Sequence, residues 1–439
     1  MNVLLVEPPF HSFLNYDRWY YPTSLAQLAA TVSQNNHEVQ VYDADRYHYK
    51  DPATKNRNVL IERQHLYFEN IDNFDHPIWQ HYQKVLEELK PDVVGVSVFT
   101  CKLKSALNIL ELTRKYNKKI KTCVGGAHVT AIPQSLLSNK NIDAVFTGYA
   151  DVSFPNWLNE GCPSGRIHGD MNKINYSSLP YPFRQSILFK EHFTPRDWGY
   201  MFSSRGCVGR CTFCSNSFLW SGKTKFRTSD SLRKEIAELI DHWGVNFISL
   251  GDSSNSDAHS ENKRVASILK EFEIPWTSNV RWATVSKELL EHFMDCGCTN
   301  ISVGLEAGSE RMLKYMNKGC KKETIRQKAK MMNSLGINWQ LFTIVGFPEE
   351  TESEMLETRD FVLEINPTSV SLNSLSPLPG TSVYNELPSI TEEIAASVNQ
   401  LHPNMCFSKY VDFEKFNSIF KNITETFEKH NEKQRAIII

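Results

Sequence analysis

Three cysteines within eight residues are the part of this sequence best equipped for chemistry. They are Cys207, Cys211 and Cys214 in "RGCVGRCTFCSNSF", residues 205–218, a four-residue step followed by a three-residue step. Packing, a disulfide, a zinc site and an iron–sulfur site compete for them. A structural zinc usually takes four ligands, commonly as two C-x-x-C-like pairs. Here no fourth cysteine stands nearby, the next being Cys296. A disulfide would leave one thiol over, and packing does not account for thiols flanked by Gly206, Gly209 and Arg210. Thiolates at this spacing fit three corners of a 4Fe–4S cube and leave one iron without a protein ligand. Something else must bind there.

The pattern closes on "CTFC", with Phe213 between the last two cysteines, and in this it resembles the hallmark of the radical SAM superfamily. The resemblance implies that the open iron is chelated by the amino and carboxylate groups of S-adenosylmethionine (SAM). It implies also that the reduced cluster cleaves the sulfonium to a 5′-deoxyadenosyl radical. Later segments follow the family's order. "SLGD" lies where the family binds the methionine amino group, which nominates Gly251 and Asp252. "VGLEAGS" resembles the G-x-E-S-G strand and nominates Glu306 as acceptor for the ribose hydroxyls. "TIVGFPEET" resembles the fifth-strand motif whose backbone holds adenine, at Val345 and Gly346. Arg281 is a candidate partner for a carboxylate of SAM or substrate. Each of these, taken singly, is equally a structural ion pair or turn. Cys296, Cys298, Cys320 and Cys406 lack a cluster pattern and read as packing residues.

Such residues need strands to carry them. "WGYMFSSRG" reads as a strand, and Arg205-Gly206 turns the chain into the cysteine loop. "DSLRKEIAELIDHWGV" is an amphipathic helix, and "NFISLGDSS", "PWTSNVRWATV", "NISVGLEAG", "INWQLFTIVGFPEE" and "PTSVSLNSL" read as further strands with helices between them. Six strand units predict a partial (β/α)6 barrel with its chemistry at the carboxyl ends of the strands.

The first third of the chain alternates in the same way. "NVLLVEPP", "EVQVYDAD", "VVGVSVFT", "KIKTCVGG" and "DAVFTG" are short apolar runs separated by helical stretches, with a polar, aromatic-rich insertion over roughly 46–80. This predicts an α/β, Rossmann-like, doubly wound parallel sheet with ligands at the carboxyl ends of its strands. Those ends are small or polar: Ser97 and Thr100, then Gly125 and Gly126, then Gly148. Small residues admit a planar ligand or its nucleotide tail, although a Gly-Gly pair is equally an ordinary strand-to-helix turn. No G-x-G-x-x-G follows the first strand, which disfavours a nicotinamide site.

"VLLVEPP", "HEVQVYDAD", "KPDVVGVSVFT", "VGGAHVTAIPQSLL" and "IDAVFTGYAD" together resemble the cobalamin-binding domain that precedes the barrel in many radical SAM enzymes. The resemblance implies that Ser97, Thr100, Gly125 and Gly126 accommodate the dimethylbenzimidazole tail, with His128 lining the nucleotide groove. One departure matters. The D-x-H-x-x-G loop that gives cobalt a histidine is replaced by "FHSFLNYDRWYY". His11 there is either an axial ligand or a solvated loop residue, and the expectation is a cobalt without histidine on its lower face. "WYY" at 19–21 caps the corrin or packs.

At 439 residues the chain exceeds one ordinary core. The expected division is a cobalamin-binding domain over 1–155, a linker over 156–195, a barrel over 196–385 and a helical region over 386–439. Basic and acidic residues number 48 and 50, for a net charge of −2, and are mixed along the chain. No basic groove for nucleic acid is expected. "MNVLLVEPPF" has no signal-peptide character, and no run approaches eighteen apolar residues. Ten cysteines are too few for a secreted disulfide scaffold, so a soluble, cytoplasmic protein is expected. Taken together, the resemblance implies a cobalamin-dependent radical SAM methyltransferase using a 4Fe–4S cluster, SAM and cobalamin. Its expected partners are a small-molecule substrate and an electron donor such as flavodoxin or ferredoxin. A cyclase or oxidative rearrangement enzyme without methyl transfer, and a cobalamin-binding module with secondary barrel activity, are the rivals.

Overall fold

The computed structural model describes residues 1–46, 62–169, 174–220, 222–398, 400, 401 and 403–438. Part of the expected insertion (47–61) and part of the expected linker (170–173) lie outside the described residues. The chain divides into two compact units, Met1–Trp198 and Gly199–Ile439.

In the first unit, strands β1 (Asn2–Glu7), β2 (Glu38–Asp43), β3 (Val93–Ser97), β4 (Lys121–Gly125), β5 (Ala144–Gly148) and β6 (Gly165–Gly169) form one sheet in the order β2-β1-β3-β4-β5-β6. Every pairing is parallel. Val3, Leu4, Leu5 and Val6 are buried because helices cover both faces of the sheet. Helix Pro77–Leu89 starts where proline is tolerated, with His76 capping the N–H of Ile78. Five strands were expected and six are present. The sixth comes from the stretch 156–195 that composition marks as a linker. Its later residues also fold onto this unit: Leu188 N–H donates to the Val41 carbonyl at 2.9 Å, and Phe183 N–H to that of Ala26 at 2.9 Å. Turn-forming residues mark irregular chain, and they say nothing about whether that chain is docked.

In the second unit, β7 (Tyr200–Met201), β10 (Ile248–Leu250), β11 (Trp276–Val280), β12 (Cys298–Glu306), β13 (Asn338–Val345) and β14 (Ser369–Ser374) form an open parallel sheet in the order β14-β13-β12-β11-β10-β7. Helices Ser229–Asp241, His259–Glu271, Lys287–Asp295, Lys322–Leu335 and Glu352–Ile365 alternate with the strands, the six-strand half-closed barrel that the periodicity predicts. The expected strand "WGYMFSSRG" is broken after Met201. Ser204–Gly206 leaves the sheet as β8 and pairs antiparallel with β9 (Thr224–Phe226), so the cysteine loop is a hairpin tied at its base. The C-terminal helix Phe413–Ile438 covers the open edge at β14. Asn431 accepts from the Val370 N–H at 2.8 Å and donates back to its carbonyl at 2.9 Å.

Candidate functional site

The cysteine hairpin and the carboxyl ends of β11 and β12 enclose a cavity of about 230 Å³. Cys207, Cys211, Cys214 and Phe213 line it from the hairpin, Arg281 from the end of β11 and Glu306 from the end of β12. Three segments distant in sequence thus meet where the periodicity places the chemistry. Among the described residues no group of three or more His, Cys, Asp or Glu side chains is arranged to hold a metal ion. The three thiols line one cavity, and three thiolates that leave one iron open are the ligand set of a 4Fe–4S cluster. Burial pushes the Cys207 thiol up, against a Gly209 N–H bond at 3.3 Å and the Arg281 charge. Burial pushes Cys214 up to about 11. A thiolate in this site therefore needs a compensating positive charge.

Glu306 is held in an unusual way. Its φ is 68°, in the left-handed region that non-glycine residues avoid. The β12–β13 register shifts between Gly304 and Glu306, so the bulge re-aims the side chain. The carboxylate meets Lys318 Nζ at 3.0 Å. A Cβ on Gly304 would stand 2.2 Å from Glu306 Oε1 and 3.3 Å from Lys318 Nζ, so Gly304 makes room for the pair. Burial works against the Lys318 ammonium, but Glu306 and Cys211 outweigh it and its pKa is raised. Lys318 also stands over the Phe213 ring at 5.8 Å. Arg281 is already paired, with Asp257 at 3.1 Å.

The remaining barrel candidates are elsewhere. Asp252 is fully buried, and its carboxylate accepts from Ser203 N–H at 3.1 Å, Ser203 Oγ at 3.1 Å, Ser204 Oγ at 2.5 Å and the Ser204 N–H. It anchors the break between β7 and β8 and does not line the cavity. Burial raises its pKa against these bonds. A Cβ on Gly251 would stand 2.4 Å from Tyr200 Oη, so its smallness serves packing. Val345 is fully buried and its carbonyl accepts from Leu375 N–H at 2.9 Å. Gly346 N–H donates to Glu350 Oε2 at 2.7 Å. The backbone expected to hold adenine is thus engaged by the chain itself, and burial pushes Glu350 up to about 8. Cys320, expected as packing, lines the cavity.

In the first unit Ser97 and Gly125 are register partners at the ends of β3 and β4. A Cβ on Gly125 would make only ordinary contacts, the nearest Phe146 Cβ at 3.6 Å. Its smallness is not imposed by the fold. Gly126 differs. Its φ is 116°, and a Cβ would lie 2.8 Å from the Val98 carbonyl oxygen, so the turn itself requires glycine. At Gly148 a Cβ would lie 2.3 Å from the Gly169 carbonyl oxygen, which is the new sixth strand. Thr100 and His128 are buried and joined, Oγ1 to Nδ1 at 3.2 Å. They tie two strand ends together, and His128 is too buried to line an open groove.

Sequence reasoning missed a buried ionic network at the ends of β1 and β2. Lys102 Nζ meets Glu7 Oε1 at 2.6 Å and Asp45 Oδ2 at 2.7 Å; Arg18 meets Asp43, and Asp45 at 3.4 Å. Burial works against the Asp45 carboxylate, but Lys102, His11 and Arg18 outweigh it and hold its pKa well below the usual range. His11 is not free: its Nδ1 meets Asp45 Oδ2 at 2.7 Å while the side chain stays 19% exposed. Lys318, Gly304 and Asp257 were missed as well. Gly304 alone carried a signal, two residues before the nominated Glu306.

Residues 201–362 match the Radical SAM superfamily and residues 68–158 match the B12 binding domain. The chain is 24% identical over 447 residues to the cytidylyl-2-hydroxyethylphosphonate methyltransferase of Streptomyces wedmorensis, with 88% of this chain and 81% of the relative covered. It is 26% identical over 329 residues to the anaerobic magnesium-protoporphyrin IX monomethyl ester cyclase of Rubrivivax gelatinosus, covering 68% and 59%. Among solved structures it resembles the radical SAM methyltransferase TsrM of Kitasatospora setae with cobalamin and a [4Fe–4S] cluster bound. There the TM-score is 0.65 at 16% identity, covering 88% of this chain and 74% of that one.

Proposed function

We propose, for a chain that belongs to the cobalamin-dependent radical SAM family, that its reaction is methyl transfer from SAM to an unactivated carbon of a small molecule. The observation that carries this reading is the single cavity onto which Cys207, Cys211, Cys214, Arg281, Glu306 and Lys318 open, in a chain that also holds a B12-binding domain. When bound, the cluster with SAM supplies a carbon-centred radical, and cobalamin supplies a methyl group that an unreactive carbon accepts.

The chain's own residues do the holding. Cys207, Cys211 and Cys214 would hold the cluster at the cavity wall, with one iron left without a protein ligand. Glu306, aimed by the bulge and steadied by Lys318, accepts the ribose hydroxyls. Phe213 walls the cavity against Lys318 and keeps water from the reacting face. Ser97 and Gly125 leave room for the nucleotide tail of cobalamin. Asp252, Gly251, Val345, Gly346, Gly126 and His128 act by shaping strand ends. A soluble one-electron donor such as flavodoxin or ferredoxin would reduce the cluster in a reducing cytoplasm, where the cysteines outside the cluster stay as thiols. Basic and acidic residues in near-equal number along the chain favour a small molecule over nucleic acid.

Similarity to the Rubrivivax cyclase supports the second reading, cyclisation or rearrangement without methyl transfer. Anaerobic incubation of reconstituted protein with candidate metabolites and methyl-deuterated SAM separates the two. Label in the product supports methyl transfer, and an unlabelled new product supports the cyclase reading.

A further inference from the structure

Asp257 lies outside the cysteine motif and the strand-end motifs, yet it joins the segments that carry them. Its side chain is 1% exposed, in the turn between β10 and helix His259–Glu271. One oxygen accepts from the Val208 N–H at 3.3 Å, inside the cysteine hairpin. The other accepts from Arg281 Nη1 at 3.1 Å and from Thr284 Oγ1 at 3.1 Å. Ser256 fixes the other end of the same arginine, its Oγ accepting from the Arg281 N–H at 2.9 Å. Arg281 is thus held by backbone and by head group. The head group faces a thiol. A Cβ on Gly209 would stand 3.1 Å from Arg281 Nη2 and 3.2 Å from Cys207 Sγ. The guanidinium and the sulfur flank the space of one missing side chain.

We propose that Asp257 is a positioning residue that clamps the Arg281 guanidinium beside Cys207, and that this fixed cation raises the reduction potential of the cluster bound there. The proposal rests on the reading that Cys207, Cys211 and Cys214 hold a cluster. Reduction adds one electron, taken from an external donor, and forms and breaks no bond. A cation held close in a poorly solvated site favours the reduced state. Arg281 is suited to this, being 18% exposed on a carboxylate that is 1% exposed.

Simple charge counting gives Asp257 the opposite effect. A carboxylate near a cluster opposes reduction, so removing it would make reduction easier. If Asp257 acts by holding Arg281, removing it frees the cation and makes reduction harder. The sign decides.

The test is an EPR-monitored redox titration with dithionite of the full chain, anaerobically reconstituted, as wild type, Asp257→Ala, Arg281→Met and the double variant. At the wild-type midpoint the ratio of reduced to oxidised cluster should fall about tenfold in each single variant. The double variant should fall no further than the larger single effect, because both remove one interaction. Easier reduction in Asp257→Ala, or an unmoved midpoint in Arg281→Met, overturns the proposal. If Asp257→Ala fails to load iron, Asp257→Asn replaces it, and the Arg281→Met effect must shrink in that background; an equal effect in both backgrounds overturns the clamp. A wild-type chain that takes up no iron overturns the cluster reading itself.

Discussion

Gly304→Ala tests the SAM site through a residue that lines the cavity but offers it no side chain. The added Cβ would sit 2.2 Å from Glu306 Oε1, 3.2 Å from Glu306 Cδ and 3.3 Å from Lys318 Nζ. These are the far ends of flexible side chains, so the carboxylate yields rather than the backbone. Displacing it breaks an ion pair whose side chains are 9% and 14% exposed. Removing one partner of such a pair costs ~3–5 kcal/mol; a displaced pair that re-forms nearby loses less, about 1–2 kcal/mol. The larger effect falls on binding. A hydrogen bond to a charged group contributes roughly 1.5–3 kcal/mol, so SAM affinity should weaken about ten- to a hundredfold. The assay is equilibrium dialysis of radiolabelled SAM against reconstituted protein, with iron content and thermal unfolding measured on the same sample. Full affinity with full iron would refute the reasoning, leaving Glu306–Lys318 a structural pair.

Other expectations follow from the same geometry. Cys207→Ala, Cys211→Ala and Cys214→Ala should each abolish the brown cluster absorption and all SAM cleavage, while Cys320→Ser should retain both. Gly126→Leu should unfold the first unit in urea at lower concentration, because its backbone is left-handed and crowded by Val98; normal stability with lost cobalamin uptake would restore the groove-filling interpretation. The Glu350 carboxyl is protonated more readily when folded, up to about 8, so the folded state binds the extra proton. Stability is therefore present at low pH and declines as pH rises from about 4.5 toward 8, and Glu350→Gln should flatten that decline in chemical denaturation. His11→Ala should leave the cob(II)alamin EPR spectrum unchanged, since no D-x-H-x-x-G loop presents this histidine; a nitrogen splitting that vanishes in the variant would make His11 the lower ligand through Nε2, with Asp45 on its Nδ1.

The strands and the place of the cysteine loop were readable because each carries a local signal. Alternating apolar runs mark buried parallel strands, and three cysteines at fixed spacing restrict the metal chemistry. The sixth strand, "GRIHG", was hidden because it is short, polar on alternate residues and set among turn formers. Asp252 was misplaced for a different reason. Its position at the end of β10 is as expected, but which way a carboxylate turns depends on the Ser203 and Ser204 groups opposite it. Gly126 and Gly148 show the same limit, since sequence reports the missing side chain and not what fills the space. Lys318, Asp257 and the Asp45 network were invisible because ion pairs between distant segments leave no periodicity.

The central claim is that this chain moves the methyl group of SAM by way of cobalamin. It is tested most directly without knowing the substrate. Protein carrying cluster and cobalamin is reduced anaerobically with methyl-deuterated SAM, and the corrinoid fraction is extracted in the dark for mass spectrometry. The account predicts a deuterated methyl group on the corrinoid, with S-adenosylhomocysteine formed alongside. Formation of 5′-deoxyadenosine while all the label stays in methionine would contradict it and favour the cyclase reading.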